Sequence, residues 1–327
     1  MSYRLDPERL NQRAASLRAA RAGVRARRGR PSGRWVSVVV VAVVLGGLLG
    51  GAAVATNSFG AGDKFEHLAR RVALAINPPP DRSSAPDIVV TPPPSIEPTP
   101  APSVSLAPGK TLPPPTPAPV RKAVDVKIAA NPKAVFAHQL NKEMCAAAGT
   151  QMVLVINGRA TTSDQFQQTL ENRVGEWESY RDSHNGRWGP GAIALALAAY
   201  GVPGYQVHIH ATRADALRDA AVALSKTGAP VVLLPWWGAH TWVMTGYRAD
   251  ADPTIFADAT VTGTYILDPW YPFVSNIWGA SDPPGTFQDA AEMKRNFIGW
   301  DRPEGKYPGR DGKFIIVVPT RPLNPPG

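Results

Sequence analysis

Cysteine is almost absent from this chain, which has one thiol, Cys145, in 327 residues. That excludes an internal disulfide framework and any zinc site built from several thiolates. Acidic residues are scarce at the N-terminal end. Residues 1–34 hold ten Arg against Asp6 and Glu8, so this tail supplies +8 of a formal net charge of +9. The remaining chain is nearly neutral, which excludes the basic, aromatic-interleaved face that nucleic-acid binding requires, and no nucleic-acid partner is expected. A phosphate-cradling GxxxxGK[ST] loop is also missing.

What is present is strongly segmented. After the basic tail comes Val36–Thr56, twenty-one residues without a charge. At about 1.5 Å per residue this spans the ~30 Å hydrocarbon core, so residues 35–56 read as a transmembrane helix that meets the lipid bilayer through Val36–Thr56. The Arg excess on its N-terminal side places 1–34 in the cytoplasm and everything after 56 outside. A secreted form, cleaved near Ala55 after the small-residue run Ala53-Val54-Ala55, is the alternative. Residues 57–77 include a short amphipathic helix with Phe65, Leu68, Val72 and Ile76 on one side. Residues 78–120 read as a disordered, polyproline-like stalk, with 16 prolines between Pro78 and Pro119. Extended at about 3.1 Å per residue, such a stalk reaches on the order of 100 Å.

Residues 121–327 have enough Trp, Ile, Val and Leu for one sizeable core. Helical periodicity runs over 141–157, over 163–180 (with Thr162 and Gln165 as a capping-box pair), over 189–200 and over 213–226. The period then changes, and 205–210, 230–236, 240–247, 261–268 and 314–318 read as strands, several apolar on both faces. Helices first and a largely antiparallel sheet afterwards define an α+β domain.

Cys145 falls in the first turn of the first of these helices. There, unpaired N–H groups and the positive end of the helix dipole favour the thiolate. It also fits a small buried apolar residue, because Ala146-Ala147-Ala148 follows it. Gln139, six residues upstream, is within reach of the space before the helix, where an oxyanion would form during attack on a carbonyl. His240 opens one strand and Asp268 closes the next. A pairing of constant index sum 508 sets them opposite each other, pairs Tyr247 with Val261 and leaves Arg248–Thr260 as the loop. Asp268 then orients His240, whose other nitrogen takes the Cys145 proton. His240 also fits a turn cap, Asp268-Pro269 a strand-ending turn, and Asp258 is a second candidate carboxylate. Trp236, Trp237, Trp242, Trp270, Tyr271 and Trp278 cluster around these strand ends, as core or as the wall of a groove. His208 and His210 alternate on one strand face with no third ligand evident, so no metal is expected, and the chemistry needs no cofactor.

Gln139-x5-Cys145 with CAAAGTQMVL, PVVLLPWWGAHTWVMTGY around His240 and YILDPW around Asp268 together resemble the papain-like cysteine peptidases of the double-glycine, bacteriocin-processing type, the thirty-ninth family of clan CA. The helix 189–201 is similarly placed. The resemblance implies a papain-like fold with an N-terminal nucleophile helix and a C-terminal sheet. It implies Cys145 as nucleophile, His240 as general base, Asp268 as orienting acid and Gln139 as oxyanion donor, acting on a peptide or protein substrate. With the domain outside the membrane, cleavage of leaders inside the cell is not implied. An amide acyl-transferase and a non-catalytic surface binding module on the same fold are the other functions in play.

Overall fold

Strand after strand in the second half of the chain is apolar at consecutive positions, because the sheet they form is covered on both faces. The computed structural model describes residues 72, 85–91, 119–179, 182, 188–301, 307 and 309–322. The chain divides into two compact units, Met1–Val72 and Ala73–Gly327, and every element named below belongs to the second. The basic tail, the 35–56 span and most of 57–77 lie outside the described residues. Among those described, no helix is long and apolar enough to cross a membrane.

In chain order the elements are β1 (Asp87–Val89), β2 (Val124–Lys127), α1 (Cys145–Ile156), α2 (Asp164–Arg173), α3 (Pro190–Ala199), β3 (Tyr205–His210), α4 (Arg213–Thr227), β4 (Val231–Leu233), α5 (Pro235–Gly238), β5 (Trp242–Ala249), β6 (Val261–Leu267), β7 (Val274–Ser275), β8 (Gly279–Ala280), β9 (Thr286–Asp289), α6 (Ala290–Asn296) and β10 (Phe314–Pro319). The main sheet runs β1-β3-β10-β4-β5-β6-β9, with β2 also on β5 and β7-β8 a separate ribbon. All pairings are antiparallel except β1 with β3.

Alternate residues feed two cores. Val207, Ile209, Val232, Val243, Leu267, Ile315 and Val317 pack with α1 and α3 on one face. Val231, Leu233, Met244, Ile266, Ile316 and Val318 pack with α4 and α6 on the other. The α+β class and the order of helices before sheet are therefore as read from the sequence. α1 is buried from Ala146 to Leu154 without interruption, as expected of a helix apolar all round.

Several boundaries differ. The second helix stops at Arg173 and continues only as a 3-10 turn, Val174–Glu176, and its cap is Ser163, whose hydroxyl accepts from the Phe166 N–H, rather than Thr162. β4 ends at Leu233 because Pro235 opens α5. The 240–247 strand begins at Trp242 and extends to Ala249, which pairs with Val261, and the connection is Asp250–Thr260. The index sum is thus 510 to 511 rather than 508. The largest departure lies within the expected stalk, where Asp87-Ile88-Val89 adds to the sheet as a parallel edge strand beside Val207–Ile209. Edge strands tolerate the flanking prolines that a central strand would not.

Candidate active site

Cys145 is the first residue of α1, and its cap residue, Met144, supplies no side-chain hydrogen bond. The first-turn N–H groups are therefore left for whatever lies in front of the helix. The thiol is half-buried. One turn on, Gly149 lets the helix lie against the start of β5, since a Cβ there would sit 2.5 Å from the Thr241 Cγ2. Thr241 follows His240, so this close approach is also what brings the thiol to the imidazole.

His240 and Asp268 both sit just outside the strands that carry them. Their contact is made by side chains reaching past the strand ends, with 2.7 Å between His240 Nε2 and Asp268 Oδ1. The same oxygen accepts the Trp270 N–H at 2.9 Å, and the Asp268 carbonyl accepts the Tyr271 N–H at 3.0 Å. With Nε2 committed to the carboxylate, Nδ1 is the nitrogen left to face Cys145, whose proximity also favours the charged ring. Burial disfavours charge on the ring. Even so, the charge and hydrogen bond of Asp268, together with Cys145, push its pKa up to about 9. The imidazole is thus cationic at neutral pH. Asp258, the other candidate carboxylate, is exposed and pairs with Arg121 instead.

Gln139 is fully buried. Its backbone N–H donates to the Pro269 carbonyl at 2.9 Å, which ties the loop before α1 to the turn after Asp268. Gln167 of α2 pins both flanks, accepting the Leu140 N–H and donating to the His138 carbonyl, and it also donates to Gln151 of α1. The Gln139 amide spends one N–H on the Asn141 carbonyl at 2.7 Å, while its Oε1 is buried without a partner. The four residues singled out in the sequence therefore share one end of the sheet. Gln151, Gln167 and Gly149, which hold them there, carry no sequence signal that sets them apart from ordinary helix residues.

Trp236 covers the other side of the imidazole, stacked at 4.2 Å and 14°, and Trp270 meets it edge-on at 6.3 Å. Trp278 stacks on Trp236 in turn, and Trp237 packs against Trp278. Trp236 and Trp237 are both left-handed, at φ of 55° and 58°. That costs on the order of 1–3 kcal/mol each for bulky residues and fits a functional constraint on this turn. Gly238 continues it at φ 76°, and a Cβ there would collide with the Trp300 ring. Trp242 belongs to the opposite core rather than to this cluster, and Tyr271 meets Phe136 edge-on.

A cysteine heading a buried helix, faced by a histidine from an antiparallel sheet with its carboxylate behind it, is the architecture of the papain-like cysteine peptidase class. Residues 133–290 match the sequence model of the Peptidase_C39 like family. A crystal structure of a double glycine motif protease from an AMS/PCAT transporter, in complex with the leader peptide, is similar at 18% identity over 57% of this chain and 91% of that one, with a TM-score of 0.29. No curated protein matches the chain.

Proposed function

We propose that the domain is a cysteine peptidase-like amide hydrolase in which Cys145 attacks a peptide carbonyl. The observation that carries this reading is the position of His240, hydrogen-bonded to Asp268 on one nitrogen and near enough to Cys145 for the thiol to help raise its pKa. Attack forms the C–S bond and moves an electron pair onto the carbonyl oxygen. The Cys145 backbone N–H and the second N–H of the Gln139 amide are the donors that would meet that oxygen. Collapse breaks the C–N bond while His240 gives its proton to the departing amine. Water then attacks the thioester, with His240 taking its proton, and the acid and the thiol are released. Asp268 holds the ring in position throughout. The Trp236–Trp278 stack offers a flat apolar flank for the peptide on either side of the scissile bond.

The arrangement of the whole chain belongs to the same proposal. Residues 1–34 stay in the cytoplasm, Val36–Thr56 anchors the chain in the bilayer, and the hydrolase acts on a peptide or protein outside it. The basic tail and the uncharged run support this reading. The decisive experiment follows alkylation of Cys145 by iodoacetamide in the full chain across pH. Rapid modification below pH 7 that collapses in His240→Ala is the expected result. Slow modification that titrates near the ordinary thiol value of ~8.5 and ignores the histidine would overturn the mechanism.

A further inference from the structure

The alternation of β3 sends Val207 and Ile209 into the core beneath α1 and puts His208 and His210 on the opposite face of the sheet, under α4. The third ligand that the sequence did not reveal comes from α4. Asp219 Oδ2 lies 2.6 Å from His208 Nδ1 and 2.9 Å from His210 Nε2. The three ligand atoms are all within 4.8 Å of one another.

We propose that His208, His210 and Asp219 form a binding site for one divalent transition-metal ion, with zinc best matched to the donor set. Two imidazoles and one carboxylate are a recurring three-ligand zinc set in which water takes the fourth position. The exposure of the cluster suits this, since His210 is buried at 1% while the His208 and Asp219 side chains are 16% and 25% exposed and open a route for ion and water. Ligands at about 2.0–2.1 Å from a tetrahedral ion stand roughly 3.3 Å apart, so the two contacts to Oδ2 must open by about half an ångström while the imidazole nitrogens, within 4.8 Å of each other, adjust toward the same spacing. Side-chain rotation of His208 and Asp219 suffices, because both are at the edge of the packed region. The histidines bind an ion as neutral rings, and His210 Nδ1 is buried with no partner. The same atom must carry the ring proton when Nε2 holds the ion, so a dissociation constant on the order of micromolar is expected rather than that of a closed four-ligand site. Bound here, the ion joins β3 to α4 across the face that α1 does not touch. The site is independent of the Cys145 chemistry.

The test uses the full chain without a histidine tag, in a Cys145→Ala background so that the active-site thiolate cannot ligate metal. After chelator treatment it is titrated with Zn²⁺ by calorimetry and with Co²⁺ by visible absorption. One ion per chain is expected, with the intense d–d bands of four-coordinate cobalt and a thermal midpoint that rises with Zn²⁺ concentration. Asp219→Asn and His208→Gln, both at partly exposed positions, should each weaken binding by at least about tenfold while circular dichroism stays unchanged. Absence of stoichiometric binding in the Cys145→Ala chain overturns the proposal, with no variant needed. Binding that both substitutions leave intact overturns it as well, since the ion is then held elsewhere.

Discussion

Burial disfavours the charged form of His240, and Asp268 together with Cys145 more than reverses that, leaving the ring with a pKa of about 9 against an ordinary 6.5. A group raised on folding stabilises the fold fully below its unfolded value and loses that contribution as pH climbs through the folded one. In the unsubstituted chain the thermal midpoint should fall between pH 6.5 and about 9. The lost stability should be on the order of 2 kcal/mol. Asp268→Asn in the same background should flatten that slope, and a slope unchanged by the asparagine would assign the pH dependence to another group. The partnership of His240 with Asp268 was legible because each residue borders the neighbouring strand. Its register was not. The connection is two residues shorter than the polar run suggests, because the Asp250 N–H reaches the Thr260 carbonyl and the Asp250 carboxylate accepts the Thr260 N–H. The strands therefore continue through Arg248 and Ala249, and the His240 and Asp268 side chains meet beyond their ends.

Helices and strands were legible where their periodicity is strong, as in β3 and α4, whose starts were placed to the residue. Short elements were not. α6 depends on a capping box between Asp289 and Glu292, a signal present in the sequence but followed by only seven helical residues. β2 has four residues with one apolar side, and a sheet neighbour has to exist before such a segment reads as a strand. The seating of α1 on β5 could not be read at all, since a glycine inside an Ala-rich helix gives no sign that a threonine methyl fills its place. That seating is testable. Gly149→Ala puts a methyl 2.5 Å from Thr241 Cγ2, which should cost about 1–3 kcal/mol of stability and draw the thiol away from His240. Cys145 alkylation at pH 7 should slow by about tenfold or more. Thr241→Ser removes the obstructing methyl, so the double variant should regain most of both losses, and a double variant no better than the single would show that the helix is seated by other contacts.

At the scale of the whole molecule, the composition of residues 78–120 concealed a structural piece. Sixteen prolines outweigh one short apolar run, Ile88-Val89-Val90, and composition averages cannot show that Asp87-Ile88-Val89 finds a strand to pair with. Their partner is fixed from the far end of the chain. Arg310 is buried beside β1 and donates to both oxygens of Asp87, at 2.8 and 2.6 Å. It also donates to the carboxylate and the carbonyl of Asp182, whose oxygens cap α3 through the Gly191 and Ala192 N–H groups. One guanidinium thus joins the N-terminal edge strand, the turn before last strand β10 and the start of a core helix. Removing Asp87 leaves Arg310 half-paired rather than bare, and Asp87 is about one-third exposed, so the loss should be below that of a fully broken buried pair, about 1–3 kcal/mol. A chain that begins at Val120 should therefore melt several degrees below one that begins at Ala85. Asp87→Asn in the longer chain should reproduce part of that drop, and the charge of Arg310 should account for it, so that Arg310→Met largely cancels the effect of the asparagine. Equal midpoints for the two lengths would mean that β1 lies on the sheet without supporting it. A lower midpoint for the shorter chain would put the beginning of the folded domain at Asp87, inside the proline-rich segment, and would make that segment part of the framework that holds α3, and with it α1 and Cys145, against the sheet.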